Sequence, residues 1–367
     1  MPAIESYPVG DMALVCSRIN GAVAVVDRQA RSILEGLSGG VETGELARRH
    51  AEAAGGLDQA SAQVAALRHL WSRLAAAASI TPPSDLSLPD HDSLALDVVC
   101  RFGERPVRLQ VWPPRLARML GAVTAPCHDC SGTDGADARI TVFRAGGRYR
   151  LAVDGVVCLE TRELMVARSE VLRRLVLAAH PGRAWLAVLH AAGVAGPDGA
   201  VLLCGSSGAG KSTLTGLLLA SGLALVTDDY APLEVGTCAL WPVPFGLSVK
   251  DGSWPLLEPH FPYLSRTAVI RTKARRQRYL RPPSFATTPQ RVRSLVFPLY
   301  APATPLEVVR LEPGETLTLC ARSGGWYESS PKRLGELADW IGTTPAYAMS
   351  YGDGGDAVSA VRRLLGL

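Results

Sequence analysis

A chain of 367 residues, 47% of them hydrophobic and 20% charged, is long enough to bury sizeable cores in two or three domains and reads as globular. Its formal charge of +4 is too mild to imply nucleic acid or an anionic membrane surface as a partner. No uninterrupted apolar run approaches the roughly 20 residues that span a bilayer, and no charged-then-apolar segment opens the chain, so a cytoplasmic protein is expected. The eight cysteines are scattered and bear no resemblance to a dense disulfide framework.

From the N-terminus, Met12–Val26 alternates short apolar stretches around Asn20-Gly21, which predicts a β-hairpin. Ala30, Ile33, Leu34 and Leu37 then share one face of a helix stopped by Gly39-Gly40. A second helix is predicted from Thr43. A third spans Gln59–Ala77, with Val64, Leu67, Leu70, Trp71 and Leu74 at three-to-four spacing. Hairpin followed by three helices, with INGAVAVVDRQARSILEGLSGGVETGELARRH at its heart, resembles the PqqD-like winged-helix modules. That resemblance covers roughly the first fifth of the chain. It implies binding of the leader segment of a ribosomally made precursor peptide, added as a strand to a sheet edge. The plainer reading is a small packing or dimerisation module.

Breakers and polar residues between Ser79 and Ser93 predict a linker. Beyond it, Leu94–Phe102, Val107–Trp112, Arg139–Arg144, Tyr149–Val153 and Val156–Glu160 alternate as strands. With a short helix at Arg115–Gly121 and another at Arg168–Ala179 they predict a mixed α/β lobe whose chemistry is not legible. Within it, Cys127-His128-Asp129-Cys130 offers ligand types for a metal, but no second pair of that kind accompanies it, and a surface loop is the alternative.

The organising stretch is VLLCGSSGAGKSTLTGLLLASG at Val201–Gly222. Gly205, Ser206, Ser207, Gly208, Ala209, Gly210, Lys211 and Ser212 match the Walker A pattern between an apolar strand and an amphipathic helix. Such a loop turns its N–H groups toward phosphate oxygens at a positive helix N-terminus, with the lysine on the β- and γ-phosphates and the serine hydroxyl on Mg²⁺. Thr213 completes the candidate nucleotide-binding set. Upstream, His190 ends the apolar segment Leu186–His190. Downstream, the apolar Leu223–Val226 leads into Asp228 and Asp229, where a P-loop enzyme places the carboxylate of a magnesium site. Successive strand residues point to opposite faces, so both acids can serve one site only if the strand has ended or bulged there.

The order LHAAGV, GSSGAGKST, LVTDDYAPLE, followed by LSVKDGSW, LVFPLY and PAYAMSYGD, resembles the HPr kinase/phosphorylase family. It is more similar still to the HPr-kinase-related proteins that accompany peptide-modification genes, including lasso-peptide kinases. The likeness covers roughly Leu186–Leu367. It implies that His190 lies at the active site and that the paired acids act as general base for a serine hydroxyl and as magnesium ligand. These roles are assigned here to Asp228 and Asp229 respectively, with Ser212 as the second metal ligand. The chain departs from the bifunctional members in having Thr213 where they commonly have Glu, and it offers no clear counterpart of the segment linked to phosphorolysis and HPr recognition.

The run Arg271–Arg281 carries six cationic side chains in eleven positions, a density suited to phosphates or an acidic peptide as well as to a solvated face. Lys250 is a similar candidate. Nucleic acid is not expected, because interleaved aromatic residues are missing.

The expected architecture is therefore α/β. A PqqD-like winged-helix domain spans residues 1–79, a linker 80–93, an accessory α/β lobe 94–185 and an HPr-kinase-type P-loop core 186–367. The expected activity is ATP- and Mg²⁺-dependent phosphorylation of a serine on a ribosomal precursor peptide, with Asp228, Lys211 and His190 as the catalytic set. A homo-oligomer is compatible with this reading, and no membrane partner is expected. A small-metabolite kinase and a non-catalytic ATP-dependent peptide chaperone or switch are the alternatives.

Overall fold

The computed structural model describes residues 4–17, 23–75, 93–129, 135–206, 208–272, 275–327 and 331–367. It is a mixed α/β protein, with five separate sheets among the described residues. Among the described residues no helix is long and apolar enough to cross a membrane.

The chain opens with strands β1 (Ile4–Val9), β2 (Met12–Ser17) and β3 (Val23–Asp27), an antiparallel sheet in that order. Helices α1 (Arg28–Ser38), α2 (Thr43–Ala54) and α3 (Leu57–Ala75) follow. The expected hairpin is the β2–β3 pair, and β1 adds a strand that the sequence pattern does not predict; the Asn20-Gly21 turn lies outside the described residues. Asp27 starts α1 by accepting the N–H of Ala30 at 2.7 Å, and Gly55 ends α2 at a φ of +82°. Ile4, Ala13, Val15 and Val26 pack on Leu34 of α1. Val9 and Leu14 point the other way, into a different core. Burial on both faces explains why β2 reads as an unbroken apolar run.

After the linker, which lies outside the described residues apart from Ser93, come β4 (Leu96–Cys100), β5 (Val107–Val111), α4 (Pro114–Thr124), β6 (Ala138–Ala145), β7 (Arg148–Val153), β8 (Val156–Thr161) and α5 (Leu164–Ala179). Their sheet runs β4-β5-β6-β7-β8. Only β5 and β6 are parallel, and α4 supplies the crossover that a parallel pair requires. Leu172, Leu175 and Val176 of α5 close over Leu109, Ile140 and Val142, and the same core takes in Val243, Phe245 and Tyr279 from much later in the chain. Shared packing thus fuses the lobe to the C-terminal half of the chain.

The remainder comprises β9 (Trp185–Leu189), β10 (Ala191–Gly196), β11 (Gly199–Cys204), α6 (Lys211–Ala220), β12 (Ala224–Thr227), β13 (Ala231–Glu234), β14 (Leu247–Lys250), α7 (Trp254–Leu257), β15 (Ile270–Arg271), β16 (Arg276–Leu280), β17 (Val292–Tyr300), β18 (Glu307–Arg310), α8 (Pro313–Ser323), β19 (Gly325–Tyr327), α9 (Pro331–Thr343), β20 (Ala346–Tyr351) and α10 (Gly354–Leu364). A six-stranded sheet of order β12-β10-β11-β17-β20-β18 is central, and β11, β17 and β20 are parallel within it. Alternation along the fully buried β11 divides its side chains between two layers. Val201 and Leu203 meet Leu214 and Leu218 of α6 and Val361 of α10. Ala200, Leu202 and Cys204 join the core that contains Leu317 and Cys320 of α8 and Leu337 and Ile341 of α9.

Val9 and Leu14 belong to that second core, with Tyr7, Met12, Val23 and Val25 packed against it. The N-terminal sheet is therefore clamped between its own helices and α8–α9. A breaker-rich linker predicts a loosely attached domain; the structure instead gives the first sheet a full apolar interface with the C-terminal helices.

Candidate functional site

Two strand pairs change sheets at one place. In the central sheet β10 pairs with β12, and in a three-stranded sheet of order β13-β9-β19 their chain neighbours β9 and β13 pair with each other. His190 occupies the step from β9 to β10, and Asp228, Asp229 and Tyr230 occupy the step from β12 to β13. Crossing between sheets frees these residues from either ladder. The strand ends at Thr227, whose hydroxyl donates to the carbonyl of Tyr230 and closes the step into a turn. Asp229 sits at a φ of +65°, a left-handed conformation that a residue with a Cβ adopts at a cost. The requirement that the strand end before both acids can act together is met.

The glycine loop opens beside this step. Gly205, Gly208 and Gly210 have φ values of +146°, +105° and +92°. At Gly210 an added Cβ would also stand 2.7 Å from the Tyr351 hydroxyl and 2.9 Å from the Tyr300 Cβ, so only glycine fits. Gly210 precedes α6 without any side-chain cap, which leaves the first-turn N–H groups of that helix available for an anion. Ser206 and Gly208 are exposed, Ala209 and Ser212 half-buried, and Ser207 lies outside the described residues. Thr213 instead turns its hydroxyl to Ser253 at 2.5 Å.

Lys211 is buried at 7% exposure, and its ammonium has no hydrogen-bond partner among the described residues. It stands 3.5 Å from Asp229 Oδ1, a distance that makes an ion pair rather than a formed hydrogen bond. His190 Nδ1 lies 3.5 Å from the same oxygen, and the His190 backbone is fixed by donation to the carbonyl of Gly324 at 3.1 Å. Lysine, histidine and acid thus come from three separate segments. Burial pushes the His190 imidazole below its usual value, the nearby Lys211 and Lys250 charges add to that, and Asp229 opposes them.

The two acids differ. Asp228 is 3% exposed; its Oδ2 accepts the backbone N–H of Ser248 at 3.0 Å, while its Oδ1 has no partner among the described residues. Burial first, and then the Asp229 charge, push its carboxyl up to about 7. Burial acts on Asp229 in the same direction, but the charges of Lys211, His190 and Arg168 outweigh it and hold that carboxyl below the usual range. Two neighbouring carboxyls driven apart in this way can divide proton transfer and cation binding between them.

Two residues that the sequence pattern does not single out also meet here. Ser248 of β14 anchors Asp228, and Arg168 of α5 is buried behind the pair at 8% exposure. Lys250, a candidate from the sequence, is half-buried, and burial followed by the Arg275 charge pushes its ammonium down. Of the cations in the basic run, Arg278 is committed to Glu258 at 2.7 Å and lies 4.1 Å over the Trp254 ring; Lys273 falls outside the described residues.

Cys127, His128 and Asp129 are engaged in local contacts. Cys127 is buried and gives its thiol hydrogen to the carbonyl of Thr124 at 3.0 Å, His128 meets the Thr124 hydroxyl at 2.7 Å, and Asp129 pairs with Arg101. Cys130 lies outside the described residues. No group of three or more His, Cys, Asp or Glu side chains suited to a metal occurs among the described residues.

Compared with known proteins, the chain matches no family model, and no curated protein is detectably similar to it.

Proposed function

We propose that this chain is an ATP-dependent kinase that transfers the γ-phosphoryl group to a serine hydroxyl on a ribosomally made peptide. The observation that carries the reading is the convergence of Lys211, His190 and Asp229 beside an uncapped helix N-terminus and a glycine loop. A buried ammonium with no hydrogen-bond partner among the described residues suits the β- and γ-phosphates, which would supply acceptor oxygens.

Ser212 and Asp229 are the residues that would hold Mg²⁺. Two protein ligands fit this ion, which usually takes one or two carboxylates and fills its remaining positions with phosphate oxygens and water. When bound, the ion neutralises charge on the phosphates during transfer. A carboxylate kept ionised, as Asp229 is, suits such a ligand.

Asp228, with its carboxyl near 7, suits the group that accepts the serine proton, because a general base works best when its pKa is close to the working pH. His190, its imidazole pushed down by burial, borders Asp229, so it would orient that carboxylate or line the acceptor side. Catalysis would then be mainly positional and electrostatic. One observation favours exchanged roles: the Asp229 side chain is 27% exposed whereas Asp228 is 3% exposed, so Asp229 is the easier acid for an incoming hydroxyl to reach.

Under this reading the core is of the HPr-kinase P-loop type, the N-terminal sheet and helices are a PqqD-like winged-helix domain, and that domain holds the leader of the precursor peptide. Its support is the order of elements, β-hairpin then three helices, with β3 at an edge of the sheet. The test is incubation with ATP, Mg²⁺ and candidate precursor peptides, followed by intact-mass spectrometry. One added phosphoryl group, absent with Lys211→Ala, supports the reading. ATP binding without any modified peptide would turn it toward a chaperone or switch.

A further inference from the structure

Arg168 is a buried cation. It is 8% exposed, no carboxylate lies within ion-pairing distance of it among the described residues, and its Nε has no hydrogen-bond partner there. The desolvation that burial imposes on its charge is offset by the groups around it, Asp229 among them. Its Nη2 donates to the Tyr279 hydroxyl at 2.8 Å. The same hydroxyl accepts from Gln277 Nε2 at 2.8 Å. Gln277 Oε1 in turn lies 3.5 Å from Ser248 Oγ, a polar contact, and the Ser248 backbone N–H donates to Asp228 Oδ2 at 3.0 Å. Ser248 and Tyr279 are also directly opposed across the β14–β16 ladder. An unbroken chain of contacts therefore runs from the accessory lobe to the buried acid.

We infer that Arg168 is a positioning residue for the acid pair, acting through Tyr279, Gln277 and Ser248 to fix Asp228 against β14. This inference rests on the phosphotransferase reading only for its kinetic consequence. It gives the lobe of residues 94–185 a part in the site: α5 carries the guanidinium, and the five-stranded sheet holds α5. Tyr279 already accepts two hydrogen bonds, which locks the end of β16 and with it the strand that presents the Ser248 N–H. Loss of the guanidinium loosens that strand pair, which packs on α6 through Leu247 and Val249, without removing any group of the glycine loop or Lys211.

The test uses the full chain with Arg168→Met, Arg168→Lys, Tyr279→Phe and the Met/Phe double variant. Positioning predicts that Arg168→Met lowers kcat roughly 10- to 100-fold while the dissociation constant for Mg·ATP stays within about twofold. Tyr279→Phe should act in the same direction, and the double variant should be no worse than Arg168→Met, because both changes cut one chain. Arg168→Lys, which keeps the charge and a donor, should recover part of kcat. Amide hydrogen exchange supplies a readout independent of activity: the Ser248 amide should exchange about tenfold faster in Arg168→Met, with β11 unchanged. A loss of ATP affinity as large as the loss of kcat, multiplicative effects of the two single changes, or an unchanged Ser248 amide would each overturn the inference. If the wild-type protein phosphorylates nothing, the kinase reading fails while the exchange measurement still decides this one. If Arg168→Met does not fold, Tyr279→Phe and Arg168→Lys carry the same comparison.

Discussion

Lys211 and Asp229 face each other at 3.5 Å across the mouth of the glycine loop, and the buried ammonium has no hydrogen-bond partner among the described residues. Such a cation is held by one carboxylate while its donors stay open, and under the proposed function phosphate oxygens would complete it. Lys211→Ala should leave the fold intact, weaken Mg·ATP binding and lower turnover at least about 100-fold, the scale on which loss of one transition-state donor is felt. Calorimetric ATP binding and phosphate transfer measured on the same preparation check this. Full turnover in a folded variant would remove the loop from the mechanism.

The acid pair should separate by kind of defect. Asp228→Asn keeps an acceptor for the Ser248 N–H but cannot take a proton, so Mg·ATP binding should persist while transfer is lost. Asp229→Asn should instead shift the Mg²⁺ concentration needed for half-maximal activity. Stability adds a second signature. A carboxyl whose folded pKa is raised favours the folded state at low pH and loses that contribution as pH rises through about 7. Asp228→Asn should therefore melt higher than the wild type at pH 8, and the difference should shrink toward pH 5. Identical metal curves for the two variants would defeat the assignment of roles, and a shift confined to Asp228→Asn would reverse it.

Much of this site is legible in the sequence because its parts are local. The strand, glycine loop and helix around Lys211 carry their own signature, and the Thr227 strand end is foreseeable from an apolar run meeting two acids. What is not legible is what arrives from a distance. Arg168 stands in α5 with Arg173 and Arg174, which pair with Glu170 as ordinary helix-surface arginines do, and nothing local marks it as the buried one. Ser248 is an ordinary alternating strand residue until β14 is laid beside the acid. The strands β10 and β13 do not stand out as elements of their own, because short buried segments carry little periodicity. The tight seating of the N-terminal sheet on α8 and α9 is hidden for the same reason, since β2 shows one apolar run where two faces are buried.

A histidine far from the loop sets an acid limit on stability. His180, at the end of α5, is 2% exposed among Phe102, Trp185 and Trp241, and neither ring nitrogen has a hydrogen-bond partner among the described residues. Burial lowers its imidazole to about 4; Glu104 and Glu234 oppose this and Arg183 assists it. The unfolded chain takes up this proton below about 6.5, whereas the folded one does so only near 4. Stability should thus fall as pH drops from 6.5 to 4, by on the order of 3 kcal/mol from this group, and level off below. His180→Leu should flatten that part of the curve, as read from urea unfolding at half-unit pH steps. Parallel curves for the two proteins would show that the ring is not the cause.

The last prediction concerns the N-terminal unit and has to respect its packing. Val9 and Leu14 share a core with Leu317, Leu337, Trp340 and Ile341, so deleting residues 1–79 strips an apolar face from α8 and α9. At about 25 cal/mol per Å² of apolar surface, a few such side chains cost several kcal/mol. The truncated protein should melt well below the full chain and associate through the bared helices, a result read from scanning calorimetry and light scattering. Deletion is therefore a poor test of leader binding, and competition on the intact chain is a better one. A leader held by the N-terminal domain makes delivery of the acceptor serine intramolecular, at an effective concentration set by the intervening segment. Free leader peptide added in trans should then raise the apparent KM for a full-length precursor while leaving its kcat unchanged, and should have no effect on a leaderless acceptor. Inhibition of both substrates alike would place the peptide in the active site rather than on the N-terminal sheet, and no inhibition of either would leave that sheet with its packing role alone.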